Sequence, residues 1–493
     1  MKFPRQSGIL LHPTSLPGPH GIGELGDAAY RFVDWLVSAG QSIWQLLPLG
    51  PTGYADSPYQ SLSAFAGNPM LISLDKLADD GLLSRAALAD GPSFPSQRVD
   101  YGAVIRWKGT LLRKAFLAWK SATSRDARYD AWCDENEHWL DDYALFVALK
   151  HHFGGGSWVH WPEPLRRHIT GTLDMYREEL ANEIAFQRFA QYEFFVQWKA
   201  LHEYAAKQGI ALIGDMPIFV AHDSADTWAS QQAFTLKGDG TLSAQAGVPP
   251  DYFSETGQLW GNPLYQWELM AADGYAWWIE RVRTLLTLVD RVRLDHFRGF
   301  EAYWSVPGDA TTAVDGAWEP GPGAALFTAI CDALGTLPII AENLGVITEE
   351  VEALRTEFDY PGMRILQFGF TADESPDFLP HRYEANTVAY TGTHDNETTA
   401  GWFEGLDSAT RERVLDYFDS SPAQIVRAMI RSLIASVADT VIFPMQDVLD
   451  LGNEARMNHP GTTGNNWQWR ATEAQFTEEA ASWLAHLCRL YER

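Results

Sequence analysis

Arg293 and Asp295 stand two apart in RVRLDHFRGF, residues 291–300, so on a β-strand both side chains leave the same face. A guanidinium at that position keeps a carboxylate ionised at neutral pH, the state in which it can act as a nucleophile. A structural ion pair at a strand end would leave the same trace. Glu342 follows an apolar run in IIAENLG, residues 339–345, with no cationic neighbour in sequence. That setting suits a carboxyl whose pKa is raised so that it can serve as a general acid, although a solvated strand-end carboxylate would look alike. His394 and Asp395 fall in YTGTHDNE, residues 390–397. Two carboxyl groups flanking a glycosidic oxygen at the ~5 Å separation of retaining enzymes would form and resolve a covalent glycosyl-enzyme.

These residues need a scaffold that brings distant segments to one rim. Short apolar runs ending in polar residues recur at 8–12, 42–49, 211–217, 291–296, 338–343, 363–370, 387–394 and 441–447, the pattern of buried parallel strands. Helical patterns separate them at 26–39, 186–208, 275–289, 324–334, 348–357, 408–438 and 472–491, and the gap between the sixth and seventh strands has no clear helix. The alternation predicts an α/β fold, a (β/α)8 TIM barrel with inserted subdomains and no separate C-terminal β domain. Residues 1–493 then form a single catalytic barrel. A helical insertion spans 51–185, with helices over 104–122 and 131–151, and an aromatic loop insertion near the active site spans 219–273. Both insertions leave the C-terminal ends of strands, where barrel enzymes build their sites.

With 46% hydrophobic and 20% charged residues the 493-residue chain has the composition of a folded globular protein. A formal net charge of -27 repels phosphates and anionic lipid heads, which argues against nucleic acid and membrane surfaces as partners and favours a neutral substrate. Cys133, Cys331 and Cys488 are far apart and odd in number, so neither a disulfide framework nor a metal motif is expected. The apolar stretch at Ile9–Leu11 is too short for a signal segment, and no run is long enough to span a membrane. The expectation is a cytoplasmic protein, monomer or homodimer. The 20 Trp, 18 Tyr and 25 Phe can stack on sugar faces or simply fill a core.

On these motifs the chain resembles amylomaltase, the 4-α-glucanotransferase (disproportionating enzyme) family of the α-amylase superfamily. The resemblance runs through HPTSLPG from His12, WQLLPLGPTG from Trp44, DSPYQSLSAFAGNP from Asp56, GDMPIFVA from Gly214, GVPPDYFSETGQLWGNPLY from Gly247, RLDHFRGF from Arg293, AENLG from Ala341 and THDNET from Thr393. It implies that Asp295 is the nucleophile, Glu342 the acid/base, and Asp395 a third carboxylate that holds sugar hydroxyls and helps distort the ring. Arg293 and His394 match supporting polar residues. Tyr252, Phe253 and Trp260 lie in a loop that arches over the glucan in this family, and Tyr54, Tyr59 and Tyr101 fall where longer glucans stack and bend. The implied activity is transfer of an α-1,4-glucan segment to the 4-hydroxyl of glucose, maltose or another malto-oligosaccharide, without metal or cofactor. Asp215 matches the first sequence block of the superfamily, but MPIFVAHDS follows it where α-amylases carry an Asn-His pair. That departure favours a transferase, and Asp215 is expected to be mainly structural.

Other features carry less. The GIGELG run at 21–26 has the glycines of a dinucleotide fingerprint, but HPTSLPGPH separates it from its strand and the next strand ends without an acidic residue. His151, His152 and the glycines at 154–156 have no metal-ligand spacing. Asn465, Asn466 and Trp467 follow the last strand and could meet sugar hydroxyls, with capping an equal alternative. A glucan hydrolase and a non-catalytic glucan-binding protein are the rival readings.

Overall fold

A computed structural model of the chain describes residues 3–122, 127–250, 254–370 and 376–493. Eight parallel strands close on themselves: Gln6–Leu10, Ile43–Gln45, Ala211–Pro217, Arg291–Asp295, Ile339–Ala341, Gly362–Ile365, Thr387–Tyr390 and Thr440–Pro444. Each lies within or beside one of the eight apolar runs. Closure is direct, because Gln6 to Leu10 of the first strand pair in register with Thr440 to Pro444 of the eighth. Every residue of the eighth strand is buried, as expected when side chains on both faces are covered, inside by the barrel and outside by helices.

The helices that follow the strands bury one stripe each. In Asp27–Ser38 the buried residues are Ala29, Phe32, Val33, Trp35 and Leu36, the spacing of an amphipathic helix. Two expected helices are broken. Residues 408–438 form Ser408–Phe418 and Ile425–Ala435, separated where Asp419 turns left-handed and Pro422 cannot continue the ladder. Residues 131–151 divide into Ala127–Glu135 and Glu137–His152, because Asn136 leaves helical geometry. The last helix starts later than expected, at Glu478, after a short turn closed by Thr472 and Gln475 in a capping box. Between the sixth and seventh strands the described residues form only short 3-10 turns.

Above the barrel rim lies a second sheet that the sequence patterns did not reveal. Its strands, Gln258–Pro263, Ala244–Val248, Ala302–Pro307 and Ala317–Pro320, pair antiparallel in that order. It joins the segment after the third barrel strand to the segment after the fourth. The segment between the second and third barrel strands contributes its own apolar cluster, in which Trp139, Phe146, Trp158 and Trp161 pack with Trp228. After the eighth strand the described chain forms helical turns, loops and the helix Glu478–Leu490.

Candidate active site

Strand register builds the ionic centre. Asp215 and Arg293 are direct partners across the third and fourth strands, and Pro217 faces Asp295. Arg293 Nη1 donates to Asp215 Oδ1 at 2.9 Å and Oδ2 at 2.8 Å. The same nitrogen lies 2.9 Å from Asp295 Oδ1. Asp215 and Arg293 are buried, whereas the Asp295 side chain keeps 29% of its surface open. Burial disfavours the Arg293 charge, but Asp215 and Asp295 outweigh it and hold the guanidinium well above its ordinary pKa. Burial pushes Asp215 upward against the pull of Arg293. Tyr59 donates its hydroxyl to Asp215 Oδ2 at 2.8 Å, and its ring stacks on His394 at 5.2 Å with 16° between planes.

Glu342 sits one residue past the fifth strand and is 8% exposed. Its Oε2 accepts the His296 N–H and its Oε1 the Leu344 N–H, both at 2.7 Å. His296 adopts a left-handed φ of 52°, an uncommon backbone state for a side chain of this size. That turn at the end of the fourth strand aims its N–H at the fifth. Burial raises the Glu342 pKa to about 8, with Arg293 opposing the shift and Asp295 adding to it. Two carboxyl groups on adjacent strands therefore live in opposite environments, Asp295 against a cation and Glu342 desolvated.

Asp395 follows the seventh strand with 45% of its side chain exposed, its Oδ2 lying 3.4 Å from His394 Nε2. Trp260 lies on the second sheet, packs edge-on against the His296 ring at 4.9 Å, and accepts Gln60 Nε2 at its carbonyl. Tyr252 and Phe253 lie outside the described residues. The flanks of their loop are strands, and Ser254 Oγ donates to the Gly257 carbonyl at 2.7 Å. Tyr54 is 72% exposed on a turn whose next two residues, Ala55 and Asp56, have positive φ. Tyr101 differs: it is 5% exposed and donates its hydroxyl to the Trp467 carbonyl at 2.9 Å, so no ring face is open for stacking. Asn465 is exposed in a left-handed conformation. Its neighbour Asn466 is buried and spent on the loop itself, accepting the His459 N–H and donating to the Thr462 carbonyl.

Several residues at the site were not singled out in the sequence. Gln60 bridges the first long connection to Trp260 and Asn262 of the second. Asn458 and Arg456 reach Asp395 from beyond the last strand. Their partner lies some sixty residues away, so no local spacing could have exposed the contact.

A closed parallel barrel with an arginine-paired aspartate and a desolvated glutamate on adjacent strand ends defines an enzyme of the glycosidic-bond class. The comparisons with known proteins narrow this. Residues 11–476 match the model of glycoside hydrolase family 77, 4-alpha-glucanotransferase, and the chain belongs to that family. It is 47% identical to the 4-alpha-glucanotransferase of Synechocystis sp., over 99% of this chain and 98% of that protein. It is also 47% identical to the 4-alpha-glucanotransferase of Thermus thermophilus, covering all of both chains (100% and 100%). Its backbone matches amylomaltase from Streptococcus agalactiae, solved in complex with acarbose, with a TM-score of 0.97 at 42% identity and 99% coverage of both chains. The activity is 4-α-glucanotransfer, on α-glucans.

Proposed function

We propose that Asp295 is the nucleophile and Glu342 the acid/base of a retaining transfer between α-1,4-glucans. The observation that carries this assignment is the opposed environment of the pair: Asp295 is held beside Arg293, while Glu342 is buried with no directly bonded cation, and burial raises its pKa to about 8. In the first half-reaction Asp295 attacks the anomeric carbon while Glu342 gives its proton to the departing 4-oxygen. Glu342, now ionised, takes the proton of an acceptor 4-hydroxyl, and that oxygen displaces Asp295 to give the new α-1,4 bond. Asp395 receives hydroxyls of the sugar at the cleavage point, with His394 beside it. Tyr59 serves as its stacking face and, through Asp215, as part of the ionic centre.

Transfer requires that a sugar hydroxyl outcompete water for the intermediate, so the acceptor must be held and the site kept dry. Trp260, Tyr252 and Phe253 are the proposed cover, Tyr54 a platform for longer chains, and Asn465 a donor at the margin. Glucose, maltose and malto-oligosaccharides are the proposed acceptors. The three cysteines are free thiols, which fits a reducing compartment, and no described helix is long and apolar enough to cross a membrane. A cytoplasmic monomer or homodimer is the proposed form. Incubation with maltotriose tests the reaction: glucose and longer oligosaccharides should appear with total reducing ends constant. Rising reducing ends without longer products would make the protein a hydrolase.

A further inference from the structure

The loop after the eighth strand grips Asp395 by backbone and side chain together. Asn458 Nδ2 donates to Asp395 Oδ1 at 2.6 Å, and the Asn458 N–H donates to the His394 carbonyl at 3.1 Å. Arg456 Nη2 donates to the Asp395 carbonyl, and Arg456 Nε to the Asn458 carbonyl, both at 2.8 Å. The loop is pinned in turn, since the Trp467 N–H donates to the Met457 carbonyl at 2.7 Å and the His459 N–H to Asn466 Oδ1 at 3.0 Å. Trp467 is buried with a φ of 64°, a strained conformation that persists where surrounding contacts over-determine it. Its ring lies 5.7 Å from Tyr59 and 5.9 Å from His394.

One oxygen of Asp395 is thus tied and the other is not. Oδ1 holds the short bond to Asn458, whereas Oδ2 faces His394 Nε2 at 3.4 Å, too far for a strong hydrogen bond. A half-exposed aspartate without such a tether would rotate freely about its side-chain bonds. We propose that Asn458 is a positioning residue that fixes the rotation of the Asp395 carboxylate, leaving Oδ2 open to a sugar hydroxyl in the distorted, oxocarbenium-like state. This rests on the proposed role of Asp395 as the third carboxylate. The groups that face Asp395 are His394 from its own strand end, Tyr59 from the first long connection, and Arg456 and Asn458 from the final loop. Of these, Asn458 is the neutral group bonded to the carboxylate itself.

Kinetics of Asn458→Ala, Asn458→Asp and Asp395→Asn on maltotriose, with melting curves, test the assignment. Asn458→Ala should lower kcat on the order of ten- to a hundredfold with KM changed by less than about threefold, because misplacing a group used in the transition state spares ground-state binding. Its melting temperature should stay near that of the parent. Asn458→Asp sets two carboxylates within hydrogen-bond reach, so they share a proton, and the acidic limb of kcat/KM should move up by about one pH unit or more. This second variant decides the matter if the alanine protein does not fold. Should both Asn458 variants keep the parent kcat and pH profile while Asp395→Asn is inactive, the positioning role is wrong and the role of Asp395 stands. An Asp395→Asn protein with parent activity would instead remove the reading on which the inference rests.

Discussion

At the residue scale, the chemistry depends on which carboxyl keeps its proton. Glu342 is buried without a directly bonded cation, and the two backbone N–H groups that it accepts do not offset its desolvation. Its folded pKa lies near 8 against an ordinary 4.5. In the proposed role Glu342 would hold its acidic proton below about pH 8, and the alkaline limb of kcat/KM should fall with a midpoint near that value. The same shift bears on stability. Between about pH 4.5 and 8 the folded chain binds a proton that the unfolded chain has released, so this group's contribution to stability declines as pH rises through that window. Glu342→Gln carries no such penalty. Its melting temperature should exceed the parent's by a margin that grows from pH 5 to pH 8, and a margin that stays flat across that range would show that Glu342 is ionised in the fold. The placing of Arg293, Asp295, Glu342 and Asp395 at one rim was legible because each lies within or just past one of the recurring strand-like runs. Asn458 was not, since its neighbours MNHPG announce only a turn. Tyr101 lies outside every quoted motif, and its sequence neighbours give no sign of whether its ring faces a sugar or, as here, is buried.

At the element scale, strands were easier to read than the pieces between them. All eight barrel strands declared themselves because a parallel strand covered on both faces is largely apolar, with polar residues concentrated where the site is built. The second sheet did not. Its Ala317–Pro320 strand is exposed along its length and Ala244–Val248 reads AQAGV, so neither period nor β-branching marks them, and their partners lie far along the chain. Helix breaks were partly visible in Pro422 and unmarked at Asn136. Barrel closure also makes a sharp demand on one glycine. A Cβ on Gly8 of the first strand would lie 2.5 Å from the Ile43 Cβ and 2.7 Å from the Ile43 carbonyl oxygen on the second. Gly8→Ala should destabilise the fold by about 1–3 kcal/mol through overpacking, read as a lower urea midpoint. An unchanged midpoint would mean that these strands can separate at no cost.

At the scale of the whole molecule, most of the aromatic excess serves packing. Trp44, Trp158, Trp198, Trp228 and Trp278 are among the largest fully buried side chains, and Trp260 is the tryptophan of the proposed cover. The composition alone could not separate the two uses, because stacking on a sugar and stacking on a neighbour select the same residues. The insertion helix Tyr101–Ser121 is held to the barrel by a charge pair out of solvent, the Lys108 ammonium on Glu24. Lys108→Met leaves Glu24 buried without its cation and should cost about 3–5 kcal/mol, whereas Lys108→Met with Glu24→Gln should recover much of the loss. Urea unfolding of the single and double variants measures this. Equal losses in both would show that the pair contributes by packing rather than charge.

In the proposed mechanism Asp295 carries the sugar between two half-reactions. Removing the acid/base slows both steps, but a glycosyl fluoride donor needs no protonation to leave, so the intermediate should accumulate in Glu342→Gln. Mass spectrometry of that variant with α-maltotriosyl fluoride, followed by peptide mapping, reads the outcome directly. The prediction is one maltotriosyl group esterified to Asp295; an unmodified protein that still turns the fluoride over, or an adduct on Asp395, would contradict it.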